Sequence, residues 1–105
     1  MESISTAEAP PPAGHYSQAI VHNKLVFVSG QLPIVPGSSD RTVGTMAEQS
    51  RQVFSNLQAI LDAAGSGLDH LLKVTIYISD MSDWGQVNEV YSEMLGSHKP
   101  ARAIV

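Results

Sequence analysis

Arg102 offers the most chemistry in this sequence, and its neighbours say how it is held. It stands within Lys99-Pro100-Ala101-Arg102-Ala103-Ile104-Val105. Pro100 biases Lys99 towards extended backbone, and Ala103-Ile104-Val105 is an apolar run suited to a strand. A guanidinium at the mouth of such a strand presents five fixed donors that match a carboxylate in two-pronged fashion. The alternative is an arginine lying over an apolar rim with its head in water. Other polar groups stand at the ends of further elements: Tyr16 before a first strand, Ser29-Gly30-Gln31 leaving a second, and Asn88 on a helix. Ser29 lacks the sequence context of a nucleophile elbow and is not read as an acylating serine. The histidines, His15, His22, His70 and His98, include no i, i+4 pair of the kind zinc often uses. His70 and His98 read as solvated loop residues. The chain has no cysteine, which excludes a disulfide framework, a thiolate nucleophile and a thiolate metal site.

The elements that must position these groups follow from hydrophobic period and turn chemistry. Residues 1–13, with Pro10-Pro11-Pro12, carry no apolar period and read as a flexible, proline-rich arm ahead of a domain over 14–105. Ser17–Val21 and Leu25–Ser29 suit two strands joined by a tight turn at His22-Asn23-Lys24. Both arms are nearly continuously apolar, so the sheet is expected to be covered on both faces, by helices on one side and by another subunit on the other. Pro36–Asp40 reads as a loop. Thr45-Met46-Ala47-Glu48 has the form of a capping box, and Val53, Phe54, Leu57, Ile60, Leu61 and Ala64 give the helix that follows an apolar stripe, stopped at Gly65. Lys73–Ser79 alternates strictly, with Val74, Ile76 and Ile78 on one side. Ser82 can cap a second helix carrying Trp84, Val87, Tyr91 and Met94, ended by Gly96. A last strand begins near Arg102. The order is ββαβαβ: an α+β fold with two helices packed on one face of a mixed sheet.

Composition narrows the partners. At 105 residues the chain is one domain, with a modest core that gains from subunit packing. A charged fraction of 15% is low for a solitary surface and points to buried subunit contacts. Six scattered Lys and Arg and a net charge of −4 leave no basic track for nucleic-acid phosphates. No apolar run reaches membrane-spanning length and no basic flank precedes an apolar N-terminal segment, so a soluble cytoplasmic protein is the expectation.

Taken in order, Gly14-His15-Tyr16-Ser17-Gln18-Ala19, Val28-Ser29-Gly30-Gln31-Leu32-Pro33, Gln49 with Asn56-Leu57, Ala63-Ala64-Gly65, Lys73–Ile78, Val87–Tyr91 and Pro100-Ala101-Arg102 resemble the Rid (YjgF) family over nearly everything from Gly14 to Val105. The resemblance implies a chorismate-mutase-like subunit, a homotrimer and a ligand cleft between neighbouring subunits. It implies hydrolysis of reactive enamines and imines, such as 2-aminoacrylate, to 2-keto acids and ammonia, with no metal or organic cofactor. By position, Arg102 resembles the arginine that clamps the substrate carboxylate. Tyr16, Ser29, the Gly30 amide and Asn88 resemble the cleft lining, and Trp84 occupies a usually aromatic position. Two departures stand out. Ile104 replaces a cysteine common in deaminating members, and the sequence ends at Val105, before the further strand whose glutamate handles the attacking water in the family. A shortened C-terminal end is therefore the expectation, and Glu89 and Glu93 do not match that position. His15 replaces a common proline and reads as a neutral loop change. A non-catalytic carboxylate-binding member is the alternative, and an RNA-directed translation inhibitor a further one.

Overall fold

The opening hairpin is built by its turn. In the computed structural model, which describes residues 1–38 and 44–105, β2 (Ala19–His22) pairs antiparallel with β3 (Leu25–Val28), and His22 faces Leu25 across a two-residue loop. Both loop residues have positive φ, Asn23 at 51° and Lys24 at 65°. That is the type I′ geometry whose twist matches the flanking strands. Asn23 suits it; Lys24 occupies a left-handed conformation that a side chain resists. The expected loop at 36–40 falls partly outside the described residues, at Ser39 and Asp40.

The N-terminal residues are not a loose arm. Glu2–Ile4 forms β1, antiparallel to β2 with Ile4 opposite Ala19, so the element order gains a strand ahead of the expected ββαβαβ. Gln18, only 3% exposed, is the cause. Its Oε1 accepts from the Thr6 amide at 2.7 Å, and its Nε2 donates to the carbonyls of Thr6 at 3.1 Å and Pro10 at 2.9 Å. Ile4 and Ala9 then close onto Ala19 and Ile60 as one core cluster.

Helix α1 (Met46–Ala63) starts where the capping box places it: Thr45 Oγ1 accepts from the Glu48 amide, and Glu48 reaches back to the Thr45 amide. It ends in a Schellman turn. The Ser66 amide bonds the Leu61 carbonyl, the Gly65 amide bonds the Asp62 carbonyl, and Gly65 takes φ 77°. Asn56 on this helix is buried and donates to the carbonyls of Leu32 and Ile34 at 3.2 and 2.9 Å, tying down the chain that leaves β3.

A 3₁₀ turn at Leu68–His70 leads to β4 (Lys73–Ile76), and a second at Met81–Asp83 leads to α2 (Trp84–Leu95). Ser82 does not cap α2 as its spacing suggests. It lies inside the 3₁₀ turn, where its amide donates to Asp80 Oδ1 at 2.9 Å, a contact that holds the Asp80 carboxyl below its usual range. The helix stops at Gly96, φ 62°, and β5 (Ala101–Ile104) returns parallel to β4, the crossover that parallel strands need.

Antiparallel and parallel ladders thus form the β layer, and the two helices pack on it and on each other. α1 covers the first ladder through Ile60; Phe54, Val90, Tyr91 and Leu95 build a second cluster against Val74 and Ile76. An Arg51–Glu93 ion pair bridges the helices on the outside, but exposed pairs of this kind contribute little. Within one chain the helices cover one face of the hairpin and leave the other open. Val26 and Val28 pack inward, while Leu25 is 46% and Phe27 61% exposed. Among the described residues, no helix is long and apolar enough to cross a membrane.

Candidate functional site

Strand register decides where Arg102 points. In β5 it lies opposite Val74, whose side chain belongs to the cluster beneath the helices, and paired residues of neighbouring strands share a face. Arg102 therefore turns towards α2. Trp84, Asn88 and Tyr91, spaced four and three apart, share one stripe of that helix. The half-buried guanidinium donates from Nη1 to Asn88 Oδ1 at 2.8 Å. Its Cζ stands 4.6 Å from the centre of the Tyr91 ring and 5.5 Å from that of Trp84. Among the described residues Asn88 is the one hydrogen-bond acceptor of Arg102, so its Nε and Nη2 edge makes no hydrogen bond to them.

Beside this group opens a cleft of about 380 Å³ lined in part by Asn88, Tyr91, Ser92, His98, Lys99 and Arg102, with no carboxylate among its lining residues. His98 is not a solvated loop residue. It is half-buried, and its Nε2 lies 2.8 Å from the Leu71 carbonyl, which can only accept, so Nε2 carries the proton. His70 is exposed, beside Asp69 at 3.0 Å.

The remaining expected residues lie elsewhere in the chain. Tyr16 is 51% exposed, with its hydroxyl accepting from the Ala13 amide at 3.0 Å. Ser29 Oγ donates to the Ser17 carbonyl at 2.6 Å, and Gly30 is exposed with open space where a Cβ would be. None of these three lines the Arg102 cleft. One chain brings together Arg102, Asn88 and Trp84, and leaves Tyr16, Ser29 and Gly30 apart from them.

Tyr91 is the site residue that sequence reasoning places only in the core. It is 7% exposed and meets Phe54 edge-on at 5.6 Å between ring centres. Its hydroxyl is buried, with no hydrogen-bond partner among the described residues. Burial pushes the phenol up from its ordinary range, and the Arg102 cation opposes this. The available signal was its spacing of three from Asn88 and seven from Trp84.

A family model described as Endoribonuclease L-PSP matches residues 6–105. A RutC family protein of Pyrococcus horikoshii is 47% identical over 104 residues, covering 99% of this chain and 82% of the relative. The 2-iminobutanoate/2-iminopropanoate deaminase of Rattus norvegicus is 40% identical over 100 residues, covering 95% of this chain and 73% of the relative. The crystal structure of RidA from the Antarctic bacterium Psychrobacter superposes with a TM-score of 0.96 at 38% identity, over 100% of this chain and 85% of that one.

Proposed function

The chain belongs to the family described as Endoribonuclease L-PSP, which includes Rid and RutC proteins, and from that premise we propose that it hydrolyses small imines and enamines to 2-keto acids and ammonia. Relatives near 40% identity are named imine deaminases. The observation that carries the reading is the guanidinium of Arg102. One donor is held by Asn88 and the other edge is left without a protein acceptor, beside a cleft that contains no competing carboxylate. A substrate carboxylate on that edge receives two parallel N–H···O bonds. Charge-assisted bonds of this kind are worth roughly 1.5–3 kcal/mol.

The reaction asks little covalent work of the protein. A protonated imine is already an electrophile. Water adds to its carbon, a proton moves from the added oxygen to nitrogen, and ammonia leaves as the C–N bond breaks, while the remaining hydroxyl proton passes to solvent to give the keto acid. Orientation of the imine and of one water is the main task.

In this reading the active unit is a homotrimer, with Tyr16, Ser29 and the Gly30 amide of one subunit facing the Arg102 group of its neighbour. Two observations support it: the two groups stay apart within a chain, and Phe27 and Tyr77 leave large apolar surfaces open. An RNA-directed role, which the family description invites, has the net charge of −4 against it.

Incubation with freshly generated 2-aminoacrylate, followed by keto-acid release, tests the proposal. Release above buffer that is lost in Arg102→Ala is expected; no release above buffer overturns turnover. The cleft's lack of a carboxylate to move protons favours a second reading, binding without hydrolysis. Calorimetry with 2-ketobutyrate separates the two: binding abolished by Arg102→Ala, with no hydrolysis, is the outcome that selects it.

A further inference from the structure

We infer that Tyr91 is a positioning residue of the carboxylate site: its ring face holds the Arg102 guanidinium in the orientation that leaves the Nε and Nη2 edge open to a ligand. The inference rests on Arg102 being the carboxylate anchor, and it adds what keeps that anchor in place. An arginine on a short strand has several rotatable bonds, and a single hydrogen bond to Asn88 Oδ1 at 2.8 Å fixes one nitrogen while leaving the plane free to swing about it. The Tyr91 ring centre, 4.6 Å from Cζ, supplies the second constraint, because a guanidinium over an aromatic face is attracted by the ring quadrupole. Tyr91 cannot follow a swinging arginine. It is locked by the edge-on Phe54 ring and buried among Val90 and Leu95. Trp84, 5.5 Å away and 40% exposed, is the looser third contact.

The hydroxyl of Tyr91 points to the same division of labour. Among the described residues it has no hydrogen-bond partner, and it is closed to solvent, so the contact with Arg102 runs through the ring face and not through the hydroxyl. Tyr91→Phe should therefore keep the anchor, whereas Tyr91→Met, which fills similar space without a π face, should release it.

The test compares wild type, Tyr91→Phe, Tyr91→Met and Ile60→Ala, the last destabilising the other core cluster without touching the cleft. For 2-ketobutyrate by calorimetry, Tyr91→Met should weaken Kd by about 5- to 30-fold, the span of a partly desolvated cation–π contact. Tyr91→Phe should stay within about twofold, and Ile60→Ala should bind as wild type does. In ligand-free protein, the Arg102 Nε–H resonance should carry an upfield ring-current shift that survives in Tyr91→Phe and is lost in Tyr91→Met. Should Tyr91→Met not fold, nuclear Overhauser contacts between the Tyr91 ring and the Arg102 side chain of wild type decide the matter, and their absence overturns the inference. A Tyr91→Met Kd equal to that of wild type, or a loss in Ile60→Ala equal to that in Tyr91→Met, overturns it as well. If wild type binds no small carboxylate, the functional reading fails, while the ligand-free resonance still reports whether Tyr91 holds Arg102.

Discussion

At the scale of single residues, the site rests on side chains that serve two structures at once. Tyr91 belongs to the core and to the guanidinium. Its orphaned hydroxyl carries a desolvation cost that a phenylalanine would not, so Tyr91→Phe should raise stability by about 1 kcal/mol, read as an increased denaturant midpoint at unchanged slope. The sign with pH is fixed. Burial raises the phenol in the folded chain, so above pH ~10 the unfolded chain releases a proton that the folded chain keeps. Stability present below that value is lost as pH rises from it towards the folded chain's higher value, and Tyr91→Phe should lose less than wild type above pH ~10. Arg102→Lys should not restore ligand binding, because an ammonium supplies no planar fork. The family resemblance grouped Arg102, Asn88 and Trp84, and the structure brings these three side chains together. The sequence hid the second role of Tyr91, because an apolar stripe reads identically whether its outer edge meets another side chain or a cation.

At the scale of elements, what was legible is what local contacts decide. The hairpin turn, the capping box at Thr45 and the glycine stops at Gly65 and Gly96 depend on residues a few positions apart, and the structure keeps them. The strand at Glu2–Ile4 depends on Gln18, twelve residues from its Thr6 partner, a side-chain bond that no period announces. Gln18→Leu should free that segment at a cost of about 1–3 kcal/mol, seen as lost amide-exchange protection over residues 2–10 with β2 and β3 still protected. The expected Ser82 cap of α2 fails because a 3₁₀ turn precedes the helix: Asp80 caps that turn through the Ser82 amide, and α2 follows Asp83 with no side-chain cap bond. At the hairpin, Lys24→Gly relieves a left-handed lysine and creates the favoured Asn-Gly pair; a gain of about 0.5–1 kcal/mol is expected in thermal unfolding.

At the scale of the whole molecule, a chain of this length has a Cα radius of gyration of 13.5 Å, close to the roughly 13 Å of a packed domain, yet it leaves Phe27 61% and Tyr77 80% exposed. Neither is needed by the chain's own core, and apolar surface of this size argues for cover by further copies. In the proposed homotrimer, Phe27→Asp should lower the solution mass to that of a monomer in light scattering, with the hairpin intact by circular dichroism; an unchanged mass counts against assembly through this face. Trp84 is the single tryptophan, and it stands at the guanidinium rather than in the core. The protein therefore carries its own optical reporter: excitation at the indole band should give an emission that changes saturably as 2-ketobutyrate is added and stays constant in Arg102→Ala, with no dye or label attached.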